Sequence, residues 1–70
     1  MDFSKLRGRI TEKFGTESKF AKAMGMSPRT LSMKLNGLRE FKPSEIILAL
    51  EKLELPVESV GEYFFTLKVQ

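Results

Sequence analysis

Arg29, Met33 and Asn36 follow one another at intervals of four and three residues, which brings side chains to one face of a helix. With Leu31 taken as the inward direction, Leu35 lies about 40° away, whereas Arg29, Met33 and Asn36 lie at about 160°, 200° and 140° and point outward. The chemistry this face offers is recognition. An arginine carries a rigid fork of N–H donors that fits a phosphate or the O6/N7 edge of guanine. A methionine thioether adapts equally to a thymine methyl or to a protein surface. Asn36, Arg39 and Lys42 are candidates for phosphate oxygens, as are Ser18 and the backbone N–H groups at the start of the preceding helix.

Catalytic chemistry lacks its usual groups. The 70 residues include no histidine and no cysteine. That removes disulfides, thiolate metal sites, the commonest zinc ligand and any Ser-His-Asp arrangement. The acids stand singly, with no pair at a catalytic spacing. The expectation is therefore a protein that is not an enzyme, with no metal, no cofactor and no small-molecule substrate. The opening "MDFSKLRGRI" is charged where a signal peptide needs an apolar run, and no stretch reaches membrane-spanning length. The expectation is a soluble cytoplasmic chain without membrane contact, forming one domain over 1–70.

Charge is unevenly distributed. Residues 1–42 hold ten Lys/Arg against four acids, a net +6, and residues 43–70 hold two against five, a net −3. A basic front and an acidic back point to a polyanionic partner on one side.

The elements that position these residues can be read from the apolar spacing. Leu6, Ile10 and Phe14 step by four along a first helix, with Phe3 one turn earlier. Asp2 or Ser4 can cap it and Gly15 stops it. Thr16 caps a second helix, whose stripe is Phe20, Ala21 and Met24. Gly25 ends it in the left-handed conformation. Ser27 is the next cap, and Pro28 suits the first helical position, where its missing N–H costs nothing. Leu31 and Leu35 face inward, and Asn36-Gly37 closes the third helix. Leu38 and Phe41 are expected to anchor the following loop.

Pro43 opens a fourth helix, with Ile46, Ala49, Leu50 and Leu53 on one face. Ile47 and Leu48 fall outside that face. Either they form a protein-binding patch, or the fifth helix or tail covers them. Residues 57–63 read as a short fifth helix. In the tail, 64–70, Phe65, Leu67 and Val69 alternate with polar residues, the pattern of a strand. That extended segment can pair with a second subunit, giving a homodimer, or fold back on its own domain.

Two short helices joined through one glycine, over 16–36, form a helix-turn-helix that sets its second helix for the DNA major groove. Ala21, Gly25 and Leu31, spaced by four and six, together with the closing "KLNG", resemble the phage Cro and repressor family. The chain looks like the small Cro-like proteins of temperate phages of Gram-positive bacteria, and is also similar to that group's modulator-of-repression proteins. The resemblance implies an all-α, five-helix fold. It implies base contacts from Ser27, Pro28, Arg29, Ser32 and Met33, and a double-stranded DNA operator as partner. Glu17 stands where the family often places a phosphate-touching glutamine. Ile10 and Leu35 suit an apolar contact where many relatives tie the first helix to the end of the third with an ion pair.

Two functions follow from this reading. One is a Cro-like regulator of a lysis-lysogeny switch that acts by occupying operator DNA. The alternative is an antirepressor that binds a companion phage repressor and alters its operator binding, with Ile47, Leu48, Phe65 and Leu67 as the candidate protein surface.

Overall fold

Asp2 takes the first free N–H of a helix. Its Oδ1 accepts from the Ser4 backbone N–H at 2.8 Å and from the Ser4 hydroxyl at 2.6 Å. The computed structural model describes residues 2–65. Helix α1 spans Ser4–Phe14 and buries Leu6 and Ile10. Gly15, at φ 84°, turns the chain into α2, Glu17–Ala23. Thr16 caps α2 by accepting the Lys19 N–H at 3.2 Å, the role a threonine hydroxyl fills at a helix start.

The connection from α2 to α3 is short because its geometry is specified atom by atom. Gly25 adopts φ 73°, a region where a side chain is strained. Its N–H donates to Lys22 O at 3.1 Å and the Met26 N–H donates back to Ala21 O at 2.9 Å. This pair of reverse bonds satisfies carbonyls that a helix end leaves free. Ser27 then accepts the Thr30 N–H at 3.1 Å, and α3 runs Pro28–Leu35. It ends in the same cap, with Gly37 at φ 77° and the Leu38 N–H on Met33 O at 2.9 Å.

Helix α4 spans Pro43–Lys52. Its cap has the same bonds but places Glu54, not glycine, at φ 54°. A single 3-10 turn, Val57–Ser59, leads into α5, Val60–Phe64. Among the described residues the protein is all-helical, with five α-helices and no strand.

The core sits where the five helices converge. Leu6, Ile10, Phe20, Ala21, Leu31, Ala49 and Leu53 are fully buried, and Leu35, Leu50 and Phe64 nearly so. Side chains of this kind contribute about 1.5–3 kcal/mol each on burial. Helix α2 packs between α1 and α3, and α5 lies against α1 and α4.

Three sequence expectations change. Leu38 does not anchor its loop; it is 72% exposed, because the cap at Gly37 turns it outward and Phe41 alone packs inward. Leu48 does not share an open face with Ile47: it is half-buried and packs on the core cluster, so of the two alternatives the covered one holds for Leu48. Phe64 does not begin an extended tail; it closes α5 and is 3% exposed. Phe65, the first residue of the expected strand face, instead caps α5, its N–H on Gly61 O at 3.2 Å; the rest of the expected strand, Leu67 and Val69 included, lies outside the described residues.

Candidate functional site

Ion pairing divides the basic front into two halves. Of its ten cations, five are neutralised within the chain. Lys5 pairs with Glu62, Arg7 with Glu17, Arg9 with Glu12, Lys13 with Glu54 and Lys34 with Glu45. The other five, Lys19, Lys22, Arg29, Arg39 and Lys42, are exposed and make no ion pair among the described residues. Four of the internally paired cations are on α1 and the fifth is buried on α3. The five unpaired ones lie on α2, α3 and the loop that follows. Unpaired positive charge thus lies on α2, α3 and that loop, whereas all four cations of α1 are paired within the fold.

The candidate base contacts are placed unequally. Pro28 and Arg29 are exposed in the first turn of α3. Ser27 is also exposed, but its hydroxyl donates to Thr30 Oγ1 at 2.9 Å while accepting the Thr30 N–H. Ser32 and Met33 are half-buried. Among the phosphate candidates, Ser18, Arg39 and Lys42 are exposed. Asn36 is exposed too, yet both ends of its amide are engaged. Its Oδ1 accepts from Arg7 at 2.9 Å and its Nδ2 donates to Ser32 at 3.3 Å. Helix α1 is therefore tied to the end of α3 by a polar bond, and Ile10 and Leu35 both belong to the buried core.

A second surface has a different character. Phe3, Phe41 and Phe64 meet edge to face, with ring centroids 5.5 Å apart for Phe3–Phe41 and 5.2 Å for Phe41–Phe64. Edge-to-face contact matches the positive ring edge to the negative ring face. Their outer edges, with Pro43, Ile46 and Phe65, line an open groove of about 520 Å³ whose rim carries Arg39 and Glu40. Phe65 is 53% exposed. Of the sequence-named protein-surface residues, Phe65 therefore lines this groove and Ile47, 63% exposed, stands four residues beyond Pro43 on α4. Sequence reading missed Phe3, Phe41 and Phe64 as one site, because they come from three separated segments. The signal available was only their type.

Beside Phe41 lies Lys34, 5% exposed. Its ammonium is bonded to Glu45 Oε1 and sits 5.9 Å from the Phe41 ring centroid. Glu45 Oε1 also accepts the Lys42 N–H at 2.8 Å. Burial pushes the Glu45 carboxyl upward, but the hydrogen bonds from Lys34 and Lys42 and their positive charges outweigh it and hold the group below its ordinary value. Among the described residues no group of acids can hold a metal ion, and no helix is long and apolar enough to cross a membrane.

These features define a small helical protein with exposed unpaired cations on α2, α3 and the loop that follows, and with an aromatic groove. The chain belongs to the family described as "Protein of unknown function (DUF739)", whose model matches residues 1–67. It is similar to the modulator of repression (MOR) of the temperate bacteriophage TP901-1 from Lactococcus lactis, known as a solution structure. The identity is 49% over 99% of this chain and 93% of that one, with a TM-score of 0.84. No curated protein sequence matches.

Proposed function

We propose that this chain modulates repression in a temperate phage by binding the companion repressor and altering its hold on operator DNA. The observation that carries this reading is the end-to-end likeness to a modulator of repression, at 49% identity. It favours the antirepressor function over direct operator occupancy. The surface that suits a protein partner is the aromatic groove, where Phe65, Ile46 and Pro43 offer apolar area that is open to solvent. The partner would fill it with apolar side chains, and Arg39 and Glu40 at the rim would orient it. The chain acts by binding alone, without catalysis or cofactor, in the cytoplasm of the bacterial host.

Purified protein, companion repressor and switch-region DNA test this reading directly. Phe65→Ser should reduce repressor binding by about 5- to 150-fold, the effect of losing about 1–3 kcal/mol of buried apolar contact. Ile47→Ser tests the adjoining face of α4. Leu48 is left unchanged because it packs on the core. Failure of the unaltered protein to bind the repressor would remove the proposal.

Operator binding remains the second reading. It is supported by the five unpaired cations on α2, α3 and their loop, and by a turn through Gly25 that suits a helix-turn-helix. Direct binding to operator DNA without the repressor is the measurement that tests it. Sedimentation of the protein alone tests for the homodimer.

A further inference from the structure

We infer that Lys34 and Glu45 are positioning residues for the aromatic groove: the pair holds the Gly37–Lys42 loop so that the Phe41 ring forms the groove wall. The inference rests on the groove being the partner site, and it adds which buried groups set the shape of that site.

The argument starts from how little else holds the loop. Leu38, Arg39 and Glu40 are all exposed. At one end the loop is fixed by the cap on α3, with the Gly37 N–H on Lys34 O at 3.1 Å. At the other, the Lys42 N–H is fixed by Glu45 at 2.8 Å. Between them only Phe41 turns inward. One face of the Phe41 environment is aromatic, from Phe3 and Phe64. The other is the Lys34 ammonium, 5.9 Å from the ring centroid. Lys34 is itself held by the same Glu45 oxygen that holds Lys42.

One carboxylate oxygen thus secures the end of the loop and the cation that backs its single anchor. A buried cation beside a ring is attracted to the ring face, more strongly once water is excluded. A buried pair is also demanding: loss of either partner leaves the other charge uncompensated. Replacing Glu45 alone should therefore free both Lys34 and Lys42. The charged groups acting on Glu45 are Lys34 from α3 and Lys42 from the loop, and these two line a small recess together with Arg39 and Glu40. Three of these are cations, so protonating Glu45 leaves the recess with excess positive charge. That excess works to open the loop.

The test uses the full chain and two readouts. The first is NMR of the Phe41 ring and its contacts to Phe3 and Phe64, in the free protein and across an acid titration. The second is affinity for the companion repressor. The variants are Glu45→Leu and the double change Lys34→Met with Glu45→Leu, which leave no acceptor for the Lys42 N–H. The double change removes both charges, and apolar replacements of similar volume usually preserve folding. It keeps the test open should Glu45→Leu alone unfold.

In the double variant, helix content should stay while the Phe41 contacts weaken. Repressor affinity should fall by roughly 5- to 150-fold, the usual range for coupled sites. In the unaltered protein the Phe41 contacts should weaken in acid before helix content does, and this early step should be absent from the variants. Native Phe41 contacts in the double variant, or weakened contacts with unchanged repressor affinity, would overturn the inference. If the unaltered protein does not bind the repressor, the groove reading fails by itself. The Phe41 contacts then decide the positioning role independently, their loss supporting it and their persistence ending it.

Discussion

Arg7 and Glu17 form an ion pair, Nη1 to Oε2 at 2.8 Å, that joins the middle of α1 to the first turn of α2. The other Arg7 nitrogen reaches Asn36 at the end of α3. One guanidinium therefore links three helices. Glu17 carries no uncompensated charge toward a phosphate, because Arg7 takes it up.

Replacing Arg7 with alanine should destabilise the fold by about 1 kcal/mol, since both bonds are partly exposed and screened. For a chain of this size that lowers the melting midpoint by about 4–8 °C. Glu17→Gln should cost less, about 0.5 kcal/mol. By removing a negative charge it should also strengthen non-specific DNA binding at low salt. A titration of both variants on unrelated duplex DNA separates the effects.

Two of the turns that use positive φ, at Gly25 and Glu54, differ in a way that melting can read. A Cβ built on Gly25 meets nothing within 4 Å, so the cost of a side chain there is conformational alone. Gly25→Ala should lose about 1–2 kcal/mol and Gly25→Val more. Glu54 already bears that strain at φ 54°. Glu54→Gly should raise stability by up to about 1 kcal/mol, less whatever its exposed pair with Lys13 contributes. Opposite shifts in the melting midpoint are expected; equal signs would contradict the assignment of both caps.

If the five unpaired cations meet nucleic acid together, log affinity against log salt should fall with a slope of about −4.5, at about −0.9 per phosphate neutralised. Arg39→Ala should flatten that slope by about 1 and weaken all sequences alike. Arg29→Ala should instead cost about 1–3 kcal/mol on the preferred site and relax one G·C position. Unchanged sequence preference in Arg29→Ala would remove Arg29 from base reading.

Glu45 makes stability depend on pH with a definite sign. Its carboxyl is held below the ordinary value of 4.5, so the folded state favours the charged form more than the unfolded chain does. The stabilisation is complete above 4.5 and is lost as pH falls through the lowered folded value. Thermal melts of the native chain and of Glu45→Gln should converge in acid and separate toward neutrality. Curves that stay parallel over that range would mean the Lys34–Glu45 pair is energetically silent.

Local chemistry left a clear record in the residues. Thr16, Ser27, Gly25 and Gly37 specify where α2 and α3 begin and end, because capping and positive φ depend on one side chain and its nearest peptide groups. The inward stripes of Leu6 and Ile10, Leu31 and Leu35, and Ala49, Leu50 and Leu53 follow from helical period alone. The outward direction of Arg29 follows from the same period, and the structure leaves it exposed. What only the tertiary structure decided is which charges and which rings meet. Lys5, Arg7, Arg9, Lys13 and Lys34 look like Lys19, Lys22 and Arg29 in the sequence, yet only the first five find acids. For four of them that acid lies ten or more residues away. Phe3, Phe41 and Phe64 form one surface because α1, the loop and α5 converge, and no local pattern encodes that convergence. Leu48 shows the same limit. Helical period gives the direction in which a side chain leaves the backbone; whether it meets core or water depends on what packs beside it.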